Sequence, residues 1–135
     1  MQKIHVEGDI KLKNTGGKQY SMFVGRFQPF HAGHRWIVDE ILDEGKNVLI
    51  CIRDIEPDDK NPYTSQEVEN RITGALIELI QEGRVRVMII PDIESINFGR
   101  GVGYDIIEHI PPQEVSDISA TKIREQLRNE GKLRC

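Results

Sequence analysis

The sequence predicts an α/β fold: a small, doubly wound, mainly parallel sheet of about five strands with helices on both faces. Three observations predict it. Short apolar runs alternate with amphipathic stretches of helical spacing as far as Ile90. Glycines and capping residues stand where those helices should start and stop. The resulting order of strand, helix, strand, helix, strand implies parallel strands joined by right-handed crossovers, a Rossmann-like arrangement. Ligands of such sheets bind at the carboxyl ends of the strands.

Residues 1–19 read as an N-terminal extension or hairpin, and residues 20–135 as the main domain. In the extension Ile4, Val6, Ile10 and Leu12 alternate with polar residues around Gly8-Asp9, before a turn at Asn14-Thr15-Gly16-Gly17. Residues 20–25 form the first buried strand. The loop Gly25-Arg26-Phe27-Gln28-Pro29-Phe30 follows, where glycine and proline forbid regular structure. Residues 32–44 form a helix with Trp36, Ile37, Ile41 and Leu42 at helical spacing, and Trp36 is expected in the core. Gly45 takes the position after its end.

Residues 47–52 are the second strand, and 53–63 a polar loop with Pro57 and Pro62. Thr64-Ser65-Gln66-Glu67 is a capping box. It opens a helix bearing Val68, Ile72, Ala75, Leu76, Leu79 and Ile80, closed by Gly83. Residues 85–90 are the third strand. Residues 95–98 and 105–110 are expected as two further short strands around Gly99-Arg100-Gly101-Val102-Gly103. The link at 91–94 is short, whereas a parallel crossover needs about a dozen residues. The fourth element is therefore not a parallel strand of this sheet, or its crossover helix has been lost. Pro111-Pro112 breaks the chain again. Residues 119–130 form a last helix with Ile123 and Leu127 inward and Gly131 as its stop.

Composition narrows the class. The 135 residues make one ordinary domain, and 38% hydrophobic content suffices for a single core. A net charge of −4 argues against nucleic-acid binding driven by global charge. Of the two cysteines, Cys51 lies in an apolar run and Cys135 is terminal. They make no disulfide framework, so a reducing cytoplasm is expected. No apolar segment suggests a signal peptide or a membrane span. A homo-oligomer is compatible with all of this.

The chemistry concentrates in Gly25-Arg26-Phe27-Gln28-Pro29-Phe30-His31-Ala32-Gly33-His34, between the first strand and the first helix. Free amides at a helix start, with the helix dipole behind them, bind phosphate. His31 and His34 add imidazole donors, and Gly33 allows close approach to the backbone. Read alone, two histidines at this spacing also fit metal ligands or plain polar residues at a helix start. No third or fourth zinc ligand is evident, since His5 and His109 are the only other histidines.

The stretch GRFQPFHAGH resembles the signature of the nucleotidylyltransferase superfamily, especially its archaeal-type nicotinamide-nucleotide adenylyltransferase branch. Ile118-Ser119-Ala120-Thr121-Lys122-Ile123-Arg124 resembles the family's Ile-Ser-x-Thr-x-x-Arg and falls at a predicted helix start. The resemblance implies transfer of a nucleoside monophosphate to a phosphorylated acceptor with release of pyrophosphate. It implies that His31 binds the triphosphate, and that His34 holds the α-phosphate and stabilises charge building there. It implies a nucleotide pocket shaped by Phe23, Gly25, Arg26 and Phe27. Ser119, Thr121 and Arg124 would grip the β- and γ-phosphates. Mg²⁺ would be held mainly by the nucleotide phosphates, so no metal-binding carboxylate is required.

ATP is favoured over CTP. Cytidylyltransferases carry an Arg-Thr-x-Gly whose arginine helps read cytosine, and this sequence has Glu114-Val115-Ser116-Asp117 there. The acceptor differs less legibly. The family's Asn-Arg-Trp-like stretch is replaced by Ile96-Asn97-Phe98-Gly99-Arg100-Gly101. Arg53, Asp54 and Lys60, after the second strand, are the candidate acceptor contacts, and Arg100 a candidate nucleotide contact. A cytidylyltransferase acting on a phosphorylated polyol or amino alcohol, and a non-catalytic nucleotide-binding module, are the alternatives.

Overall fold

The computed structural model describes residues 17–101, 103–116 and 120–131. The expected hairpin before residue 17, Ser119 and Cys135 lie outside the described residues. Three strands form one parallel sheet in the order β1 (Ser21–Gly25), β2 (Val48–Asp54), β3 (Val85–Pro91). The pairing aligns Phe23 with Ile50 and Ile50 with Val87. Helix α1 (Ala32–Asp43) connects the first two strands. Helices α2 (Ser65–Ala75) and α3 (Ile77–Gln81) connect the next two. Beyond the sheet come the short α4 (Gln113–Ser116) and α5 (Ala120–Asn129).

The core follows from the period-2 alternation of the strands. Val48, Ile50 and Ile52 of β2 and Val85 of β3 meet Val38 and Ile41 of α1 and Val68, Ile72 and Leu76 around α2. Leu127 of α5 packs against the same cluster. Helix ends are as the turn residues require. Thr64 and Glu67 exchange side-chain and backbone bonds in a capping box. Gly45 and Gly83 both have φ of 79°, the left-handed region that glycine enters without penalty. Arg84 ties the amino edge together. Its guanidinium bonds to Asn47 Oδ1 and to the carbonyls of Leu42 and Lys46. Cys51 is buried in β2, and burial pushes its thiol pKa up.

Three expectations are corrected. The fold class stands, but the described sheet has three strands, not about five. Neither 95–98 nor 105–110 joins a ladder. The link after β3 is too short for a parallel crossover, and the glycines of 99–103 oppose strand formation. The segment therefore runs irregularly, with Ile96, Phe98, Tyr104, Ile106 and Ile110 largely exposed. The helix opened by the capping box is broken at Leu76, two residues after the weak helix former Gly74. Trp36 is half-buried and outside the core cluster. No helix among the described residues is long and apolar enough to cross a membrane.

Ile50 is wholly enclosed at the centre of the sheet. Ile50→Ala should therefore cost about 3 kcal/mol through lost burial and an unfilled cavity. Urea unfolding is the check: the midpoint falls while the slope is unchanged.

Candidate active site

The first motif leaves the carboxyl end of β1 and turns sharply at Phe27. That residue has φ of 53°, left-handed although it is not glycine, a conformation that costs about 1–3 kcal/mol and collects at functional sites. Its ring folds back over Gly25. A Cβ on Gly25 would lie 3.0 Å from Phe27 Cζ, so only glycine fits beneath the ring. Phe27 then contacts Phe23 at 5.2 Å and Phe30 at 6.0 Å between ring centroids.

His34 is enclosed by these rings. It meets Phe27 edge-on at 4.9 Å and stacks on Phe30 at 5.6 Å. His31 stacks on His34 at 3.8 Å. The two histidines also cap α1 reciprocally. The Gly33 N–H donates to His31 Nδ1 at 3.0 Å, and the His31 N–H donates to His34 Nδ1 at 3.1 Å. With both Nδ1 atoms accepting, the neutral rings carry their protons on Nε2. This exchange corrects one expectation: the amides of His31 and Gly33 at the helix start are taken by the histidines and are not free for phosphate. The donors offered are the imidazole Nε2–H groups instead.

Burial keeps both rings neutral at neutral pH. It lowers the His31 pKa below its usual value. It lowers that of His34 to about 3, with the nearby His31 adding to the effect. The positive charge of the site therefore comes from arginines.

The second motif arrives on α5. Arg124 is only 8% exposed, and its Nη1 donates to the Gln28 carbonyl across 96 residues of sequence. Its Nη2 donates to Thr121 Oγ1 at 3.3 Å. Burial, then the charges of Arg128 and Arg26, lower its pKa, while Asp58 and Tyr63 oppose them. A guanidinium remains charged throughout the accessible range. The structure thus brings Thr121 and Arg124 to the loop that holds Phe27, Gln28, His31 and His34.

Other predicted residues take different places. Arg53 and Asp54 lie at the carboxyl edge of β2, but both are engaged. Arg53 Nε donates to Asp92 at 2.8 Å, securing the exit of β3. Asp54 accepts from Ser65 Oγ at 2.8 Å at the start of α2. Lys60 is exposed, and its N–H donates to Asp58. Arg100 is exposed on the irregular segment, and no contact among the described residues joins it to the histidines.

Sequence reasoning missed Gln28. It is 4% exposed, and its Nε2 donates to the Tyr63 carbonyl while its Oε1 accepts from the Tyr63 N–H, both at 2.9 Å. Arg71 covers the Tyr63 ring at 4.3 Å, not simply solvated as helix charges usually are. The available signal was a glutamine set between Phe27 and Pro29. Asp58 and Arg128 were also missed, because their relation to the site exists only in three dimensions.

Comparison with known proteins identifies the family. The cytidylyltransferase-like family model matches residues 22–98, more than half of the chain. The chain is similar to nicotinamide-nucleotide adenylyltransferases of several organisms. With that of Methanocorpusculum labreanum it shares 42% identity over 57 residues, 41% of this chain and 34% of the relative. With that of Methanospirillum hungatei it shares 33% over 79 residues, 57% and 42% of the two chains. With that of Caldivirga maquilingensis the figure is 35% over 100 residues, 70% and 53%. The chain thus spans about half or less of the length of these curated relatives. Its three-stranded parallel sheet, its paired histidines at the first helix start and the match across residues 22–98 make it a member of the cytidylyltransferase-like family.

Proposed function

We propose that this protein is a nucleotidylyltransferase that moves AMP from ATP onto a phosphorylated small molecule and releases pyrophosphate. The observation that carries the reading is the meeting of the two motifs. Arg124 of α5 is seated on the Gln28 carbonyl, three residues before the His31–His34 pair. One site then holds neutral N–H donors beside fixed guanidinium charge, which suits a polyphosphate.

In this reading an acceptor phosphate oxygen attacks the α-phosphorus in line. A phosphorus–oxygen bond forms on one side, and the bond to the bridging oxygen breaks on the other. The electron pair leaves with pyrophosphate. His34 Nε2–H donates to the α-phosphate oxygens where charge accumulates. Arg124 and Arg26 take the charge of the departing pyrophosphate, with Ser119 and Thr121 adding hydroxyl donors. Positioning and preorganised charge supply the rate, and no covalent enzyme intermediate is needed. Phe23, Gly25 and Phe27 shape the base side of the pocket. Arg53, Asp54 and Lys60 border the acceptor side.

The donor set fits a Mg²⁺ ion carried by the phosphates. Among the described residues no three His, Cys, Asp or Glu side chains cluster as a cage. The arginines and imidazoles instead supply donors for oxygens the cation leaves free. Such a cation neutralises phosphate charge and orients the chain.

The missing cytosine-reading arginine and the adenylyltransferase names of the relatives both support ATP. Pyrophosphate release, measured with ATP and CTP against phosphorylated acceptors that include nicotinamide mononucleotide, should appear with ATP. Turnover with CTP alone would overturn the nucleotide assignment.

His34→Ala removes one positioned donor, so turnover should drop about 10²–10³-fold. A thermal melt of the variant should remain cooperative, separating lost chemistry from lost fold. The same ring predicts a pH signature. Its folded-state pKa of about 3 lies below the usual 6.5, so the unfolded chain takes up the proton first. Its contribution to stability is present above pH 6.5 and is lost as pH falls toward about 3. Urea unfolding at pH 7 and pH 5 should show that loss in the wild type and a smaller one in His34→Ala.

A further inference from the structure

The loop after β2 is held rigidly against the site, although no residue of the two motifs belongs to it. Asp58 Oδ1 accepts three N–H bonds: from Lys60 N at 2.9 Å, Asn61 N at 2.8 Å and Asn61 Nδ2 at 3.1 Å. The backbone closes the same turn, Asp58 N–H to the Asn61 carbonyl at 2.9 Å. Arg128 of α5 donates to the Asp59 carbonyl and fastens the turn to the helix that carries Arg124. Gln28 fastens the other end through Tyr63. Two separate attachments thus hold one carboxylate beside the arginines of both motifs.

The bonding leaves that carboxylate ionised. The Asn61 N–H is the largest influence holding its pKa below the usual carboxylate range, with Arg26 contributing. Its charge in turn favours the protonated Arg124 guanidinium. All three N–H donors fall on Oδ1. No salt bridge within 4.0 Å links Asp58 to an arginine among the described residues. Asp58 acts at longer range, as a fixed counter-charge to Arg26 and Arg124, while Arg128 holds the neighbouring Asp59 carbonyl.

We propose that Asp58 is an electrostatic competitor built into the polyphosphate site, limiting its affinity and hastening release of pyrophosphate. The inference rests on the reading of the site as a nucleotidylyltransferase's. A fixed negative charge disfavours every anion bound by the arginines, in proportion to the anion's own charge. It therefore opposes triphosphate most, pyrophosphate less and monophosphate least. After transfer, the same charge opposes retention of the product. In the empty protein it offsets part of the repulsion that Arg124 feels from Arg26 and Arg128.

Asp58→Asn tests this, because the amide oxygen still accepts backbone N–H bonds of the turn while the charge is gone. Asp58→Ser is the second variant, a smaller uncharged acceptor that also supports such turns. Titration calorimetry with inorganic tripolyphosphate and pyrophosphate is the measurement. Both variants should bind more tightly than the wild type, by about twofold to fivefold at low salt, the range of an exposed charge pair. The gain should be larger for tripolyphosphate and should shrink as potassium chloride is raised. A loop residue with a purely structural role gives the opposite sign, weaker binding. Unchanged or weaker binding in the folded variants overturns this proposal alone. Failure of the wild type to bind either polyphosphate overturns it together with the proposed function.

Discussion

A buried glutamine must satisfy both ends of its amide, because an unpaired polar group away from water costs about 1–3 kcal/mol. Gln28 meets this demand by gripping the backbone of Tyr63 with its carbonyl oxygen and its NH₂ group at once. Its main-chain carbonyl is in turn the seat of Arg124. One residue thereby joins the loop after β1, the loop after β2 and the last helix. The relative placement of the histidines, the 58–63 loop and the arginines all follows from this junction. Neither Arg124 nor Tyr63 is near Gln28 in sequence, so the junction also commits the chain to a single packing of α5.

Around that junction, polarity and charge are kept apart. The histidines are buried among phenylalanine rings and held neutral, their Nδ1 atoms used in capping α1. Arg124 and Arg128 lie on α5, and the charge of Asp58 favours the protonated Arg124. A neutral donor loses little by desolvation, whereas a buried imidazolium would lose much. A dry, aromatic wall thus carries hydrogen-bond donors, and a basic helix carries charge. Phe27 is the piece that makes this possible. Its left-handed backbone places the ring over Gly25 and against His34 together.

The family assignment and the geometry constrain each other. The matched region, residues 22–98, contains the sheet, the histidines and the 58–63 loop. Arg124 lies beyond it, and its proposed role rests on the hydrogen bond to Gln28 and on the second motif's pattern. The irregular stretch after β3 is where the chain departs most from an extended sheet, and its apolar residues stay in solvent.

The sequence by itself determined the local elements up to β3, because they depend on near neighbours. Strand runs are apolar and short, the box at Thr64 and Glu67 caps its own helix, and Gly45 and Gly83 end theirs. It also singled out His31, His34 and Arg124 as candidates, because phosphate chemistry draws on few residue types in few patterns. Tertiary structure alone decided how many strands pair, since the ladder depends on whether a distant segment can reach the sheet edge. It decided that the amides of His31 and Gly33 go to the histidines and that Leu76 breaks the second helix. It decided the importance of Gln28, Asp58 and Arg128 as well. Their partners lie 35, 3 and 69 residues away. Even the short-range turn at Asp58 gains its meaning from the arginines that folding carries beside it. Hydrogen bonds and fields between remote segments leave no periodicity in a sequence, so only the folded chain shows them.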